Sequence, residues 1–186
     1  MPRQIAIILL TDDVRPLDFD ITQIPIRDYC QSAVAFEKAY VHSSVNPELF
    51  ERTCFTRWFV MREFVRRHVI GRFCVFDTDV MLFSSVEGFS AEFGSHAAGN
   101  WTWANAFSDV AALDLLCDYF SGVFADSALF DQLAEKIYRD IGRRQISDMR
   151  LVTSCRIKTR ASSIRADFPP KATTTVSGSL KTSFIL

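Results

Sequence analysis

The stretch Phe73–Val80, with the sequence FCVFDTDV, carries the clearest signal for the fold. Its first four residues are aromatic, β-branched or otherwise apolar, which is typical of a strand buried in the middle of a sheet. Two acids follow inside an apolar context, because Val80–Phe83 is again apolar. An unpaired buried carboxylate is costly. We therefore expect these acids at the carboxyl edge of a sheet, where α/β proteins bind their ligands.

A long helix is predicted directly before this strand. Asn46 is a good N-cap, Pro47 suits the first helical position, and Glu48 favours the positive end of the dipole. The helix should end near Val69, and its apolar residues cover more than one stripe, which predicts a largely buried helix. An Ile-rich strand is predicted over Gln4–Leu10. Strand, helix and strand in this order predict a βαβ unit with a parallel sheet.

The remaining pattern predicts three more helices. They cover Arg27–Lys38, a segment that begins at Ser108 as its cap and runs to Phe124, and Asp126–Ile141. The glycine-containing segment Glu87–Asn105 is predicted to be a loop. Together these elements predict an α/β fold.

The composition changes near residue 153. From there to residue 186, six Lys and Arg side chains face a single acid, and Ser and Thr are frequent. Such a segment buries too little apolar surface to offset its ordering entropy. We therefore expect a folded domain over residues 1–152 and a disordered basic tail over 153–186, with a phosphate-binding arm as the alternative.

Charge and cysteine content exclude several functional classes. The chain has 21 Lys and Arg against 22 Asp and Glu, which argues against a nucleic-acid clamp. No apolar run approaches the ~20 residues of a membrane span, and no signal peptide is recognisable. Five cysteines without a C-x-x-C pair exclude zinc ribbons and thioredoxin-type sites. These absences predict a cytoplasmic protein, or one of the Golgi or another secretory lumen if a segment precedes Met1.

Asp77 and Asp79 are candidate metal ligands. Mg²⁺ and Mn²⁺ prefer carboxylate oxygens and leave positions for water and substrate phosphates. The alternative is that both acids cap a turn or pair with nearby arginines. A D-x-D-x-T/V sequence after a strand is also the signature of haloacid-dehalogenase-type phosphatases. Met81 stands where that signature needs Thr or Val, so this interpretation ranks well below the others.

Five short motifs carry a resemblance that covers roughly residues 5–152. Tyr40–Pro47, which is followed by Phe50 and Glu51, resembles a Y-x-H-x-S-x-N stretch, Cys54–Phe59 a C-F-x-R-W-F helix, and Phe76–Val80 a D-S-D-V strand end. Gly99–Trp103 resembles a G-H-F-S-F-W element, with Asn in place of the histidine, and Ile146–Met149 resembles an I-S-D-M element. In this combination the chain resembles a group of nucleotide-sugar glycosyltransferases with the GT-A fold.

The resemblance implies a GT-A-like, Rossmann-like mixed sheet flanked by helices. It implies sugar transfer from a nucleoside-diphosphate donor to a glycan, protein or small-molecule acceptor. Asp77 and Asp79 would hold Mn²⁺ (or Mg²⁺), which stabilises charge on the departing diphosphate. Arg57 would contact the donor phosphates or sugar, and a salt bridge to Glu48, Glu51 or an Asp on the neighbouring element is its alternative. Asp148 would act as the catalytic base or orient the sugar, and its alternative is a helix-cap or turn aspartate.

Three further residues belong to the candidate site. Trp101 and Trp103 would form a stacking platform for an acceptor sugar, although tryptophans at alternate positions also pack cores. Asp12 would contact a ribose hydroxyl or serve in a turn. GT-A enzymes open with a strand and loop that grip the nucleotide base, whereas Gln4–Leu10 resembles the second such strand. We therefore expect the first βα unit to be missing, which leaves a non-catalytic remnant or binding module open.

Overall fold

The computed structural model describes residues 6–18, 20–77, 104–107, 109–154 and 183–185, and there a five-stranded sheet packs against helices. The strands are β1 (Ile8–Thr11), β2 (Thr22–Pro25), β3 (Phe73–Asp77), β4 (Ala104–Phe107) and β5 (Ser183–Ile185). The helices are α1 (Gln31–Glu37), α2 (Glu48–Arg67), α3 (Val110–Ala125), α4 (Ser127–Ile141) and α5 (Asp148–Ser154). A 3-10 turn (Ile26–Tyr29) precedes α1. The predicted α/β class is confirmed.

The sheet is mixed, with the strand order β2-β1-β5-β3-β4. Strands β1 and β2 are parallel, whereas β5 is antiparallel to both β1 and β3, and β4 is antiparallel to β3. Strands β1 and β3 therefore point in the same direction, and their carboxyl ends lie at the same edge of the sheet. The strand–helix–strand pattern predicted a parallel sheet, which fails because β5 and β4 are antiparallel to their neighbours. The mixed sheet that the resemblance implies agrees with this pairing.

Helix α2 is the centre of the core, as its apolar pattern predicted. Nine of its 20 residues are buried. On one side Phe36 of α1 stacks on Phe59 with ring centroids 4.6 Å apart. On the sheet side Trp58 lies against Phe107 of β4, with centroids 6.3 Å apart. Aromatic pairs of this kind each contribute about 0.5–1.5 kcal/mol beyond the area they bury. This packing sets the rotation of α2 about its axis, and hence the directions of its polar side chains.

Two of the short strands were not predicted. The first half of strand β4 lies inside Glu87–Asn105, which was predicted to be a loop. Strand β2 ends at Pro25, which the sequence analysis did not assign to a strand. Because β2 is an edge strand, the missing N–H of this proline leaves no ladder hydrogen bond unmade.

The helix ends also differ in detail from the predictions. The backbone position before α2 is Pro47, and Asn46 turns its side chain to Glu51 instead of capping the helix. Asp109 caps α3 in place of the predicted Ser108. The helix predicted over Arg27–Lys38 is divided into the 3-10 turn and α1. Hydrogen bonds made by individual side chains decide these ends, and composition alone did not distinguish them.

The predicted tail differs from expectation at both of its ends. Helix α5 extends to Ser154, and Ser183–Ile185 pair with two strands in the middle of the sheet. Such pairing depends on partners distant in sequence, so local composition did not reveal it. The rest of the tail and the apolar stretch Val80–Phe83 lie outside the described residues. In the part of the chain that is described, no helix combines the length and apolarity that a bilayer crossing needs.

Candidate functional site

Asp77 stands at the carboxyl end of β3, as expected for the first acid of the predicted pair. Side chains alternate along a strand, so Asp77 shares a sheet face with Phe73 and Val75, which belong to the same hydrophobic core as α2. Its side chain is 32% exposed. From α2, Arg57 Nη1 donates a hydrogen bond to Asp77 Oδ1 at 2.5 Å. The rim of the sheet and the central helix are thus joined by a charge pair.

Arg57 is a buried cation that is held by two carboxylates. Its Nη2 donates to Asp148 Oδ2 at 2.9 Å, in addition to the bond to Asp77. The guanidinium also lies 5.1 Å from the ring centroid of Trp58, within the range of cation–π attraction. Burial by itself would lower the pKa of Arg57, but the carboxylates of Asp148 and Asp77 outweigh it and raise the pKa. Arg57 therefore stays charged.

Asp148 is the first residue of α5 and is only 2% exposed. Its Oδ2 also accepts from Trp58 Nε1 at 3.1 Å, and its Oδ1 accepts from the backbone N–H of Met149 at 2.7 Å. A general base has to come within about 2.6–3.2 Å of the proton that it removes. Asp148 faces Arg57 and Trp58 rather than solvent. These surroundings fit a residue that orients Arg57 better than the predicted role of catalytic base.

The cluster formed by Arg57, Asp77 and Asp148 contains one positive and two negative side chains. Its excess negative charge favours a cation at the exposed end, beside Asp77. Cys54, one turn before Arg57 on α2, is no nucleophile in this setting. Burial first, and then the charge of Asp148, raise the pKa of its thiol to about 12.

A second polar cluster was missed by the sequence analysis. Glu51 of α2 is 1% exposed, and its Oε2 accepts from Ser44 Oγ and from Asn46 Nδ2, both at 2.8 Å. Ser44 Oγ also accepts from the backbone N–H of Asn46 at 3.2 Å. These contacts give the Tyr40–Pro47 motif a structural role. The available signal was an acid in the first turn of a helix that was predicted to be largely buried, shortly after a polar loop.

Of the other predicted site residues, the structure describes only Asp12. Asp12 is exposed in a bend after β1. Leu10 and Asp77 share Phe184 of β5 as register partner, which places them two strand spacings apart, roughly 10 Å. Asp12 therefore lies on the same edge of the sheet, beyond Leu10. Asp79, Trp101 and Trp103 lie outside the described residues.

Asp77 fits the role of one metal ligand. Within the ranges that are described, no three His, Cys, Asp or Glu side chains are grouped to hold a metal ion. The Asp77 side chain is partly exposed at the rim of the sheet, and carboxylate oxygens are the ligands that Mg²⁺ and Mn²⁺ prefer. The excess negative charge around it also suits a divalent cation. A second ligand has to come from elsewhere, and Asp79 is the candidate that the sequence offers.

Comparison with protein-family models, with characterised proteins and with solved structures found no match. Function is therefore argued from the site and from the motifs themselves. The geometry adds one relationship to the motifs. Arg57, Asp77 and Asp148 come from three of the five motif stretches, and they meet in one cluster.

Proposed function

We propose that this chain is a divalent-metal-dependent glycosyltransferase domain, which moves a sugar from a nucleoside-diphosphate donor to a hydroxyl acceptor. The observation that carries the proposal is the meeting of Arg57, Asp77 and Asp148. They are separated by 20 residues (Arg57 to Asp77) and 91 residues (Arg57 to Asp148) along the chain. Each comes from a different one of the stretches that resemble GT-A motifs, and nothing in their local sequence requires them to touch.

The proposed fold is GT-A-like. Three features support it: β1 and β3 point in the same direction, α2 lies between them in the chain, and β3 ends in an acid. In open α/β sheets ligands bind beyond the carboxyl ends of the strands, which is where Asp77 lies. The donor would therefore bind at this edge, with Asp12 within reach of its nucleoside.

Each residue of the cluster has a distinct part in the proposed mechanism. Asp77 and Asp79 would hold Mn²⁺ or Mg²⁺, which when bound stabilises negative charge on the leaving diphosphate. Arg57 is itself buried, but its Nη1 bonds to the partly exposed Asp77, which brings the positive charge close to the rim where phosphates would arrive. Asp148 and Trp58 hold the guanidinium in place, so little side-chain entropy is lost when a phosphate binds.

Calorimetric titration with Mn²⁺, in the presence and absence of uridine diphosphate, tests this proposal. We expect the diphosphate to tighten manganese binding by at least tenfold, and Asp77→Asn to abolish that gain. Asp118→Asn is the matched control, because Asp118 also pairs with an arginine of α2 but lies on the exposed face of α3. Absence of diphosphate-dependent binding in the unmodified protein would refute the proposal, as would an unchanged response in Asp77→Asn.

A non-catalytic binding module is the second candidate. The burial of Arg57 and Asp148 favours it, because a buried ion pair is enough to join α2 to α5 without any substrate. A screen of nucleotide sugars for Mn²⁺-dependent release of the diphosphate separates the two candidates. Binding without turnover of any donor supports the module. Phosphorylation of Asp77 would point instead to the phosphatase that ranked third.

A further inference from the structure

Glu51 is a buried carboxylate to which the proposed chemistry gives no part. It lies in the first turn of α2, and its Oε2 accepts from the neutral groups of Ser44 and Asn46. A carboxylate so deeply buried is tolerated only when several hydrogen bonds satisfy it. Hydrogen bonds to an ionised acceptor are stronger than those between neutral groups. Glu51 therefore holds the loop that contains Ser44 and Asn46 firmly against α2.

This loop in turn holds the segment that leads to Asp148. The carbonyl oxygen of Ser43 accepts from the backbone N–H of Ile146 at 2.6 Å. Ile146 is 1% exposed and precedes Asp148 by two residues. Asp148 then returns to α2 through its bond from Arg57.

The contacts thus form a closed ring that starts and ends on one helix. Glu51 and Arg57 are six positions apart on α2, which corresponds to a rise of about 9 Å. Because the helix is rigid, it sets the distance between the two ends of the ring. A displacement of the loop at Glu51 has to be taken up at Ile146 and Asp148.

We propose that Glu51 is a positioning residue, which acts through the Ser44 loop and Ile146 to place Asp148 and so to aim Arg57. The idea that Glu51 in this way directs Arg57 towards the donor phosphates rests on the proposed function. The mechanical coupling from Glu51 to Asp148 does not, since every contact in the ring is made without a ligand.

Glu63 offers a matched control on the same helix. Its Oε2 accepts from the backbone N–H and from Oγ of Ser32, at 3.2 and 3.3 Å. Glu63 therefore anchors a neighbouring segment by two hydrogen bonds, as Glu51 does. The segment that it anchors belongs to α1 and has no bond to the Asp148 segment among the described contacts.

The indole N–H of Trp58 reports on the position of Asp148, to which it donates. We would follow this N–H by nitrogen–proton NMR in the protein without ligand, with its signal assigned through Trp58→Phe. Glu51→Met removes the acceptor at similar volume. In this variant we expect the Trp58 indole signal to be displaced and its hydrogen to exchange at least roughly tenfold faster than in the unmodified protein. Glu51→Gln should restore the signal because its amide oxygen still accepts both bonds. Glu63→Met should leave it unchanged.

An unchanged Trp58 signal in folded Glu51→Met would overturn the proposal. If Glu51→Met fails to fold, Ser44→Ala removes only the linking hydroxyl, and the same displacement is expected or the proposal fails. With Mn²⁺ and uridine diphosphate as the probe, Glu51→Met should weaken binding, and adding it to Asp148→Asn should weaken binding no further. If the unmodified protein does not bind this probe, the proposed function is refuted. The NMR result still tests the coupling between Glu51 and Asp148 in that case.

Discussion

Arg57 and Asp148, 91 residues apart in the chain, form a buried ion pair in which Nη2 lies 2.9 Å from Oδ2. Both side chains are shielded from solvent, and Trp58 Nε1 donates to the same carboxylate oxygen. Arg57 and Trp58, which are neighbours on α2, therefore both donate to the first residue of α5. The pair ties the chain beyond α4 back to the central helix.

Asp148→Ala should lower the free energy of unfolding by about 3–5 kcal/mol, the range for breaking a buried ion pair by removing one partner. The loss arises because the variant removes the carboxylate to which the Trp58 indole N–H donates. It also removes Asp148 as a partner of Arg57, whose bond to Asp77 remains. Urea denaturation followed by circular dichroism measures the change.

The control for that measurement is Asp118→Ala. Asp118 also pairs with an arginine of α2, Arg62, at 3.2 Å, but its side chain is 72% exposed. Exposed ion pairs contribute only about 0–1 kcal/mol. Equal losses in the two variants would show that burial adds nothing to the Arg57–Asp148 pair.

Val69 follows the end of α2 with a φ of 53°, in the left-handed region, and is 88% exposed. This conformation costs an L-residue about 1–2 kcal/mol, and glycine adopts it without strain. Val69→Gly should therefore raise the free energy of unfolding by about 1 kcal/mol. The gain stays below the full strain because glycine also makes the unfolded chain more flexible.

Gly142, with a φ of 75° after α4, supplies the reverse experiment. A Cβ built on it meets nothing within 4 Å, so Gly142→Ala changes backbone strain without a steric clash. We expect Gly142→Ala to lower the free energy of unfolding by about 1 kcal/mol, and urea denaturation measures the change for both variants. If Val69→Gly destabilised the protein, the strain argument for the end of α2 would be wrong.

The long helices could be predicted from sequence because their signals are local. Helices α2, α3 and α4 show apolar periodicity that is readable within one window, although the predicted caps of α2 and α3 were wrong. Strands β2, β4 and β5 have only three or four residues each, and their pairing partners lie far away in the chain. No local pattern distinguishes such a strand from a loop, so these three were missed.

The same distinction between local signals and long-range contacts applies to the candidate site. Arg57, Asp77 and Asp148 were chosen from motifs, and the pairing of Arg57 with an acid on a neighbouring element was one of the alternatives for it. What could not be predicted is which acid it meets, because this depends on how α5 returns to α2. Glu51 was named only as an alternative partner for Arg57. Its bonds to the loop could not be predicted for the same reason, since they appear only once the loop is folded.

Asn105 of β4 is 1% exposed, and its Oδ1 meets no hydrogen-bond donor in the described structure. A buried acceptor without a partner costs roughly 1–3 kcal/mol. Asn105→Leu has a similar shape and no such cost, so it should raise the thermal midpoint or leave it unchanged. A fall of several degrees would show that this oxygen accepts a hydrogen bond that stabilises the fold.

The buried thiol of Cys117 in α3 allows a prediction of how the free energy of unfolding depends on pH. It is fully buried, and burial raises the pKa of its thiol from the ordinary 9.0 to about 12. Between these values the unfolded chain has lost this proton while the folded chain keeps it. Stability from this group is therefore complete below pH 9 and decreases as the pH rises towards 12, by up to about 1.4 kcal/mol per pH unit.

Cys117→Ala should show a shallower decline of unfolding free energy with pH, measured by urea denaturation under reducing conditions at pH 8, 9.5 and 10.5. The small cavity left by alanine lowers the whole curve and does not change its slope, and the tyrosines and lysines titrate alike in both proteins. The difference in slope therefore isolates one thiol. Cys54→Ala should change the slope in the same way, because burial also raises the pKa of Cys54 to about 12. Parallel curves for the unmodified protein and Cys117→Ala would mean that this thiol titrates alike in the folded and unfolded chains.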